Sequence, residues 1–283
     1  PNDASLRGKW WELFGDPVLD RLEEQARAAS PRLQAAAARV RQARAALGLS
    51  EAGSLPTLEV APEITRYAVS RNRPDQPDKV PNNREYATSR FRLPLVAAYE
   101  LDLWGRVARQ NESAGKRLEA GVAAYQMVLL ALQGDLAQTY FQLRAADAEL
   151  ALLKRNIALR LRAQELVTTR KNGGLASEFD LSRVETELAL AESEALATEK
   201  RRNDLGHGLA LLVGAAPGEF KIEPQEFSTL PPAVPVGLPA ELLERRPDVA
   251  EAERLLAARN AEIGVSQASL FPAIRLTAGL GAE

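Results

Sequence analysis

Glu185, Glu187, Glu192, Glu194 and Glu199 are a ready supply of carboxylates for acid–base or metal chemistry. Nothing completes such a site. The chain has one histidine, His207, and no cysteine, which excludes histidine clusters and thiolate ligands. There is no glycine-rich phosphate loop, no nucleophile elbow and no metal-ligand spacing. The glutamates therefore read as a solvated helix surface. His207, among Leu205, Gly208 and Leu209 at a helix end, reads as structural. Asn111-Glu112-Ser113 matches a glycosylation sequon but falls within a helix. No catalytic residue, cofactor or metal is expected, and the enzyme reading is weak.

Composition narrows the classes further. Hydrophobic content is 46% and charged content 26%, the balance of a folded chain. Aromatics make up only 5%, which suits closely packed helices better than a bulky core. The formal charge of −2 offers no basic footprint for nucleic acid. No run of about 18 apolar residues is present, which rules out a transmembrane helix on this reading. Membrane strands, whose signal is far weaker, stay open.

The pattern along the chain is mainly helical. Residues 1–15 read as an extended N-terminal segment, and Asp16-Pro17 as a helix start with Asp as N-cap and proline first inside. The helix over 16–56 kinks at Ser30-Pro31 and carries Leu33, Ala36, Val40, Ala43 and Leu47 on a coiled-coil seam. Residues 57–71 and 86–103 alternate as strands, joined by the proline-rich polar loop 72–85. On the first strand Leu58, Val60 and Ile64 share a face. On the second, Phe91, Leu93, Leu95, Ala97, Tyr99, Leu101 and Leu103 oppose Arg90, Arg92, Glu100 and Asp102. Pro94 predicts a bend or bulge.

From Arg106 to Asn172 there is no proline, and Val122, Leu129, Leu136, Leu143, Leu150 and Ile157 recur every seven residues. Such a helix reaches about 100 Å at about 1.5 Å per residue. A turn at 171–177 reverses the chain, with Ser177 and Asp180 resembling a capping box. Gly173 and Gly174 supply positive φ there. The return helix runs to Gly214 through Leu181, Val184, Leu188, Ala191, Ala195, Leu205, Leu209 and Leu212, closing a hairpin over 104–214. A proline-rich connector occupies 215–237, a helix 238–271, and a further strand begins over 272–283.

Residues 22–63 and 238–279 align without a gap at an offset of 216. Pro31 falls on Pro247, Gly48 on Gly264 and Pro56 on Pro272. This is a duplicated unit whose second copy stops inside its first strand, so the chain reads as a fragment. Strands with open edges need further strands, and long helices need partners along their length. Together these ask for an oligomeric tube or bundle.

The chain also resembles a known family, the outer membrane factors or TolC-like channels, and within it the NodT-type lipoproteins of tripartite efflux pumps. The marks are Trp10, Phe14-x-Asp16-Pro17-x-Leu19, Tyr99-Glu-Leu-Asp-Leu-Trp-Gly-Arg106, Gly174-Leu-Ala-Ser-x-x-Asp-Leu181 and Ala210-Leu-Leu-Val-Gly214. Leu238-Pro-x-x-Leu-Leu-x-Arg-Arg-Pro-Asp248, Ile263-Gly264, Phe271-Pro272 and Leu276-Thr-Ala278 complete the set. The resemblance implies a homotrimer whose protomers each give four strands to a twelve-stranded outer-membrane β-barrel, continued by an α-helical tunnel across the periplasm of a Gram-negative bacterium. It implies multidrug efflux by passive conduction, with a periplasmic adaptor and an inner-membrane RND-type pump as partners and outer membrane lipid around the barrel.

By the same resemblance the tip, Gly173, Gly174, Leu175, Ala176 and Ser177, docks the adaptor, with Leu175 as anchor. Gly173 stands where the family more often has a bulkier residue. Trp104 and Phe271, where strand meets helix, suit an aromatic girdle at the membrane interface. The fourth strand and the second tip, with the family's constriction ring, lie outside this sequence. Plainer readings stand beside these: the tip as a simple helix connector, Trp104 as a packed tryptophan. The competing classes are a periplasmic adaptor, which has one central hairpin between β-rich halves, and a soluble coiled-coil scaffold, which has no use for the strand at 86–103.

Overall fold

The structure, a computed structural model, describes residues 8–68, 87–225, 243 and 245–282. Contacts divide it into two compact units: Pro1–Val40 with Gly121–Glu251, and Arg41–Ala120 with Ala252–Glu283.

The first unit is helical. Where an extended segment was expected, Trp10–Phe14 form a 3-10 turn and Trp11 is buried; residues 1–7 lie outside the described residues. Helix α1 (Pro17–Ala29) starts at Asp16, whose Oδ1 accepts the Val18 and Leu19 N–H groups at 2.9 and 3.3 Å. The chain breaks at Ser30 and restarts as α2 (Pro31–Ala52), proline leading both helices because the first helical N–H needs no partner. Helix α3 (Arg106–Asn172) and helix α4 (Glu178–Leu212) make the hairpin. Leu19, Leu22, Leu136, Tyr140, Leu143 and Leu209 form the heart of the core, with Trp10, Phe14, Phe220 and Ile222 packed around it.

The end of α4 is fixed by a glycine. Gly214 has φ +71°, and a β-carbon there would stand 3.0 Å from the Ala29 Cβ. Conformation and space both demand glycine.

The seams follow the heptad with one exception: Leu136, Leu143 and Leu150 are buried, whereas Val122 is exposed. By length and composition α3 could cross a membrane, contrary to the expectation from the missing apolar run; a third of its most apolar stretch is buried.

In the second unit β1 (Thr57–Val60), β2 (Glu63–Ala68), β3 (Ala87–Leu101) and β4 (Ile274–Ala282) form an antiparallel sheet centred on β3. The segment predicted as one strand over 57–71 is interrupted at Ala61-Pro62, and residues 69–71 lie outside the described ones. The loop 72–85 also lies outside the described residues.

The expected bulge at Pro94 is absent. Val60 pairs with Leu95 and Glu63 with Arg92, so the register runs through the break unchanged. The reason is directional. A strand residue's N–H and C=O point to the same neighbour. The Pro94 carbonyl accepts the Ala61 N–H at 3.4 Å, so the N–H that proline lacks is missing on that side only. The partner strand loses its ladder there, while β3 stays continuous against β4.

Helix α5 (Pro247–Ala268) precedes β4. It begins and ends at the positions equivalent to the ends of α2, at the same offset of 216. Of the helix predicted over 238–271, Leu243 and Arg245 are helical, the run is broken at Arg246, and α5 continues from 247 to 268, closed by a turn at Ser269–Phe271; residues 238–242 and 244 lie outside the described ones. Glu262 of α5 takes Ser113 Oγ at 3.2 Å and the Arg117 guanidinium of α3, and Arg254 Nε reaches Glu119 at 2.7 Å.

Candidate functional site

Alternation and register separate the two faces of the sheet. Residues paired across the ladder share a face. Leu58, Val60 and Ile64 lie with Ala97, Leu95 and Phe91, and these with Leu276, Ala278 and Leu280. Phe91, Leu93, Ile64, Leu276 and Leu280 are all exposed, so among the described residues nothing covers this part of the apolar face. The opposite face carries Glu59, Glu63, Thr65, Arg90, Arg92, Glu100 and Arg275. There Arg90 lies over the Tyr67 ring at 5.6 Å, and the Thr65 hydroxyl donates to Glu63 at 2.9 Å.

The strand–helix junction is rigidly built. Asp102 accepts the Val107 and Ala108 N–H groups at 3.0 and 2.8 Å, capping α3. Arg106 holds Glu100 at 2.7 Å. Trp104 stacks on Phe271 with centroids 4.6 Å apart and planes 18° apart, and its indole N–H donates to the Pro272 carbonyl at 2.9 Å. The two rings stay 46% and 52% exposed. The junction brings together two residues 167 positions apart, and neither ring is sealed in a core.

At the tip, α3 ends in a Schellman motif. Leu175 N–H donates to the Arg170 carbonyl at 2.8 Å and Gly174 N–H to that of Lys171 at 2.9 Å, with Gly174 at φ +75°. Gly173 has no positive φ, so only one of the two glycines is required by the turn; a β-carbon at Gly173 would meet only ordinary contacts at 3.5 Å and beyond. Ser177 and Asp180 form a reciprocal capping box. The Ser177 hydroxyl and N–H hold the Asp180 carboxyl below its usual range. A Lys171–Glu178 ion pair spans the turn. The result presents Leu175, 81% exposed, beside Phe179, 75% exposed.

A buried polar chain ties the connector to the hairpin. Tyr140 donates to Asp16 Oδ2 at 2.5 Å and accepts from Arg144 Nε at 3.0 Å. Arg144 Nη1 donates to Asp147 at 3.0 Å and to the Glu223 carbonyl at 2.8 Å. Arg202 donates to Asp147 at 2.5 Å and to the Ile222 carbonyl at 2.7 Å. Burial and the Asp16 carboxylate push the Tyr140 phenol up to about 12. The sequence reading missed this network. Its signal was the spacing Tyr140, Arg144, Asp147, which places polar groups beside the heptad leucines of α3.

The five glutamates of α4 are exposed or half-buried, Glu187 pairing with Arg160 at 2.8 Å. His207 is exposed. Among the described residues no group of three or more His, Asp or Glu is placed to hold a metal.

Residues 22–215 match the family described as outer membrane efflux protein. The pyoverdine export outer membrane protein OpmQ of Pseudomonas putida is 34% identical over 275 residues, covering 96% of this chain and 58% of that protein. The toluene efflux pump outer membrane protein TtgI of Pseudomonas putida is 35% identical over 282 residues, covering 98% and 58%. Nodulation protein T of Rhizobium leguminosarum bv. trifolii is 31% identical over 276 residues, covering 96% and 57%. Among solved structures, the outer-membrane channel OprN superposes with a TM-score of 0.84 at 30% identity, covering 97% of this chain and 61% of that one. The Campylobacter jejuni CmeC outer membrane channel, at 21% identity and a TM-score of 0.84, shows the shared fold. The chain spans just under three fifths of the length of these relatives.

Proposed function

The chain belongs to the outer membrane efflux protein family, and from that premise we propose that it is part of the outer-membrane channel of a tripartite efflux pump. The whole protein is a homotrimeric, passive exit duct for drugs or other small molecules. An inner-membrane RND-type transporter supplies the energy and a periplasmic adaptor joins it to the duct. No bond is made or broken during conduction, so no catalytic residue is assigned.

The observation that carries this reading is the uncovered apolar face of the sheet. From Phe91 to Leu101 its apolar row spans ten residue steps. At about 3.3 Å per residue and a strand tilt of about 40° that is roughly 25 Å of height, the apolar band of a membrane barrel. The charged opposite face suits a water-filled lumen. The half-exposed Trp104–Phe271 stack has the chemistry of an interfacial aromatic belt, an apolar surface with a polar edge.

The tip is the adaptor site. Gly174 sets the turn, Ser177 and Asp180 stiffen the return helix, and Gly173 to Ser177 present Leu175 as an apolar anchor. Leu175→Asp in the full-length protein is expected to weaken crosslinking to the adaptor and lower drug resistance while assembly persists. Unchanged crosslinking and resistance would remove the tip from the docking site.

The channel reading itself is tested by light scattering of the full-length protein in detergent. Three protomers with a bound detergent belt are expected. A species without bound detergent would turn the assignment toward a periplasmic adaptor or a soluble scaffold.

A further inference from the structure

One cation breaks the apolar face. Arg66 pairs across the ladder with Ser89, two residues beyond the Ile64–Phe91 pair. Alternation places both Arg66 and Ser89 on the same face as Ile64 and Phe91. Every other residue of β1, β2, β3 and β4 on that face is apolar. Arg66 is exposed, and its side chain makes no hydrogen bond or ion pair with another described residue. Arg90 and Arg92 on the opposite face, by contrast, do have partners.

Position explains how such a residue is tolerated. Arginine on the lipid face of a barrel costs about 2–4 kcal/mol at the midplane but about 0–1 near the interfaces. Ser89, and Arg66 with it, lies twelve residue steps along β3 from Leu101. That is about 40 Å along the strand, or about 30 Å of height at a tilt of about 40°. Arg66 is thus just past an apolar band of about 25 Å, at the end opposite the Trp104–Phe271 stack. What surrounds a side chain there is lipid headgroup. A guanidinium presents a planar fork of donors that matches phosphate oxygens, and the Ser89 hydroxyl beside it adds a further donor.

Resting on the bilayer reading of the sheet, we propose that Arg66 binds the phosphate of an outer-leaflet lipid headgroup. It fixes the outer rim of the sheet as the aromatic stack fixes the inner one. The occupant is a lipid phosphate rather than a carboxylate of a neighbouring strand.

The test uses full-length protein reconstituted in bilayers of digalactosyldiacylglycerol, which carries no phosphate, with or without one tenth phosphatidylglycerol. The rate of unfolding in denaturant is read for the wild type, Arg66→Gln, Arg66→Lys and the opposite-face control Arg90→Gln. Phosphatidylglycerol is expected to slow wild-type unfolding about three- to five-fold, the scale of an exposed ion pair. Arg66→Gln loses that slowing, Arg66→Lys keeps part of it, and Arg90→Gln keeps all of it. If Arg66→Gln responds to phosphatidylglycerol as the wild type does, the proposal falls while the channel reading stands. If Arg66→Gln unfolds faster by the same factor in both bilayers, Arg66 is paired within the protein and the proposal falls. A wild type that enters neither bilayer overturns the membrane reading and this inference with it.

Discussion

The helical core around Tyr140 and the sheet around β3 solve the same problem in opposite ways. In the core, large side chains such as Leu19, Leu136 and Tyr140 are sealed, and the polar chain from Asp16 to Arg202 finds its partners inside the unit. In the sheet β3 is paired by β2 and β1 from Ala87 to Ala98 on one side and by β4 from Leu93 to Leu101 on the other, yet Ile64, Phe91 and Leu280 are exposed. One region seals its largest side chains inside the unit. The other leaves an apolar face exposed, which is the feature on which the membrane reading of the sheet rests.

The comparison breaks most visibly where the core relies on charge. Arg144→Ala leaves Asp147 with Arg202 and the Gln225 N–H and strips a donor from Tyr140 and from the Glu223 carbonyl. Removing one partner of a buried pair costs about 3–5 kcal/mol. A fall in thermal midpoint that is the same in every detergent is expected. Little change would mean that the connector is not held by this network.

Next is Glu23, 2% exposed, with neither carboxylate oxygen hydrogen-bonded. Burial pushes its carboxyl up to about 8, above the ordinary 4.5. The folded state therefore binds the proton more tightly than the unfolded chain. Stability is undiminished below about pH 4.5, falls as pH rises from there through about 8, and is lowest above it. The full drop is on the order of 5 kcal/mol. Glu23→Gln should flatten denaturation midpoints measured between pH 5 and pH 9. A wild-type midpoint that does not fall with pH would show the carboxyl to be solvated or paired.

On the sheet the sharper test is a pair of neighbours on opposite faces. Leu95→Arg on the apolar face is expected to cost about 2–4 kcal/mol in urea titrations from bilayers, and Val96→Arg on the polar face little. Equal costs would erase the distinction between the faces. The smallest effect belongs to the tip. Ser177→Ala removes the capping box and costs about 1 kcal/mol, seen as faster hydrogen exchange over the first turn of α4. Unaltered exchange would mean the turn is held by the Schellman bonds alone.

The sequence by itself determined what depends on near neighbours in the chain. The Asp16 cap, the break at Ser30, the Gly174 and Gly214 turns and the Ser177–Asp180 box are each settled within about six residues, and their chemistry can be read from residue type. The duplication was equally legible, and α2 and α5 share both boundaries. Alternation assigned Phe91 to Leu101 to one face without a structure, since a strand's period is fixed by its geometry.

Tertiary structure decided who meets whom. Pro94 is tolerated because its missing N–H points at Ala61 and not at β4, a direction that sequence spacing does not contain. Arg144 and Asp147 were visible as charges within a seam, but the carbonyls of Ile222 and Glu223 that complete the network come from the connector. Arg66 stands alone on its face only because register sets it opposite Ser89. Local preferences are short-range and additive, so residue types reveal them; partner choice across the chain is set by register and packing, which only the folded backbone fixes.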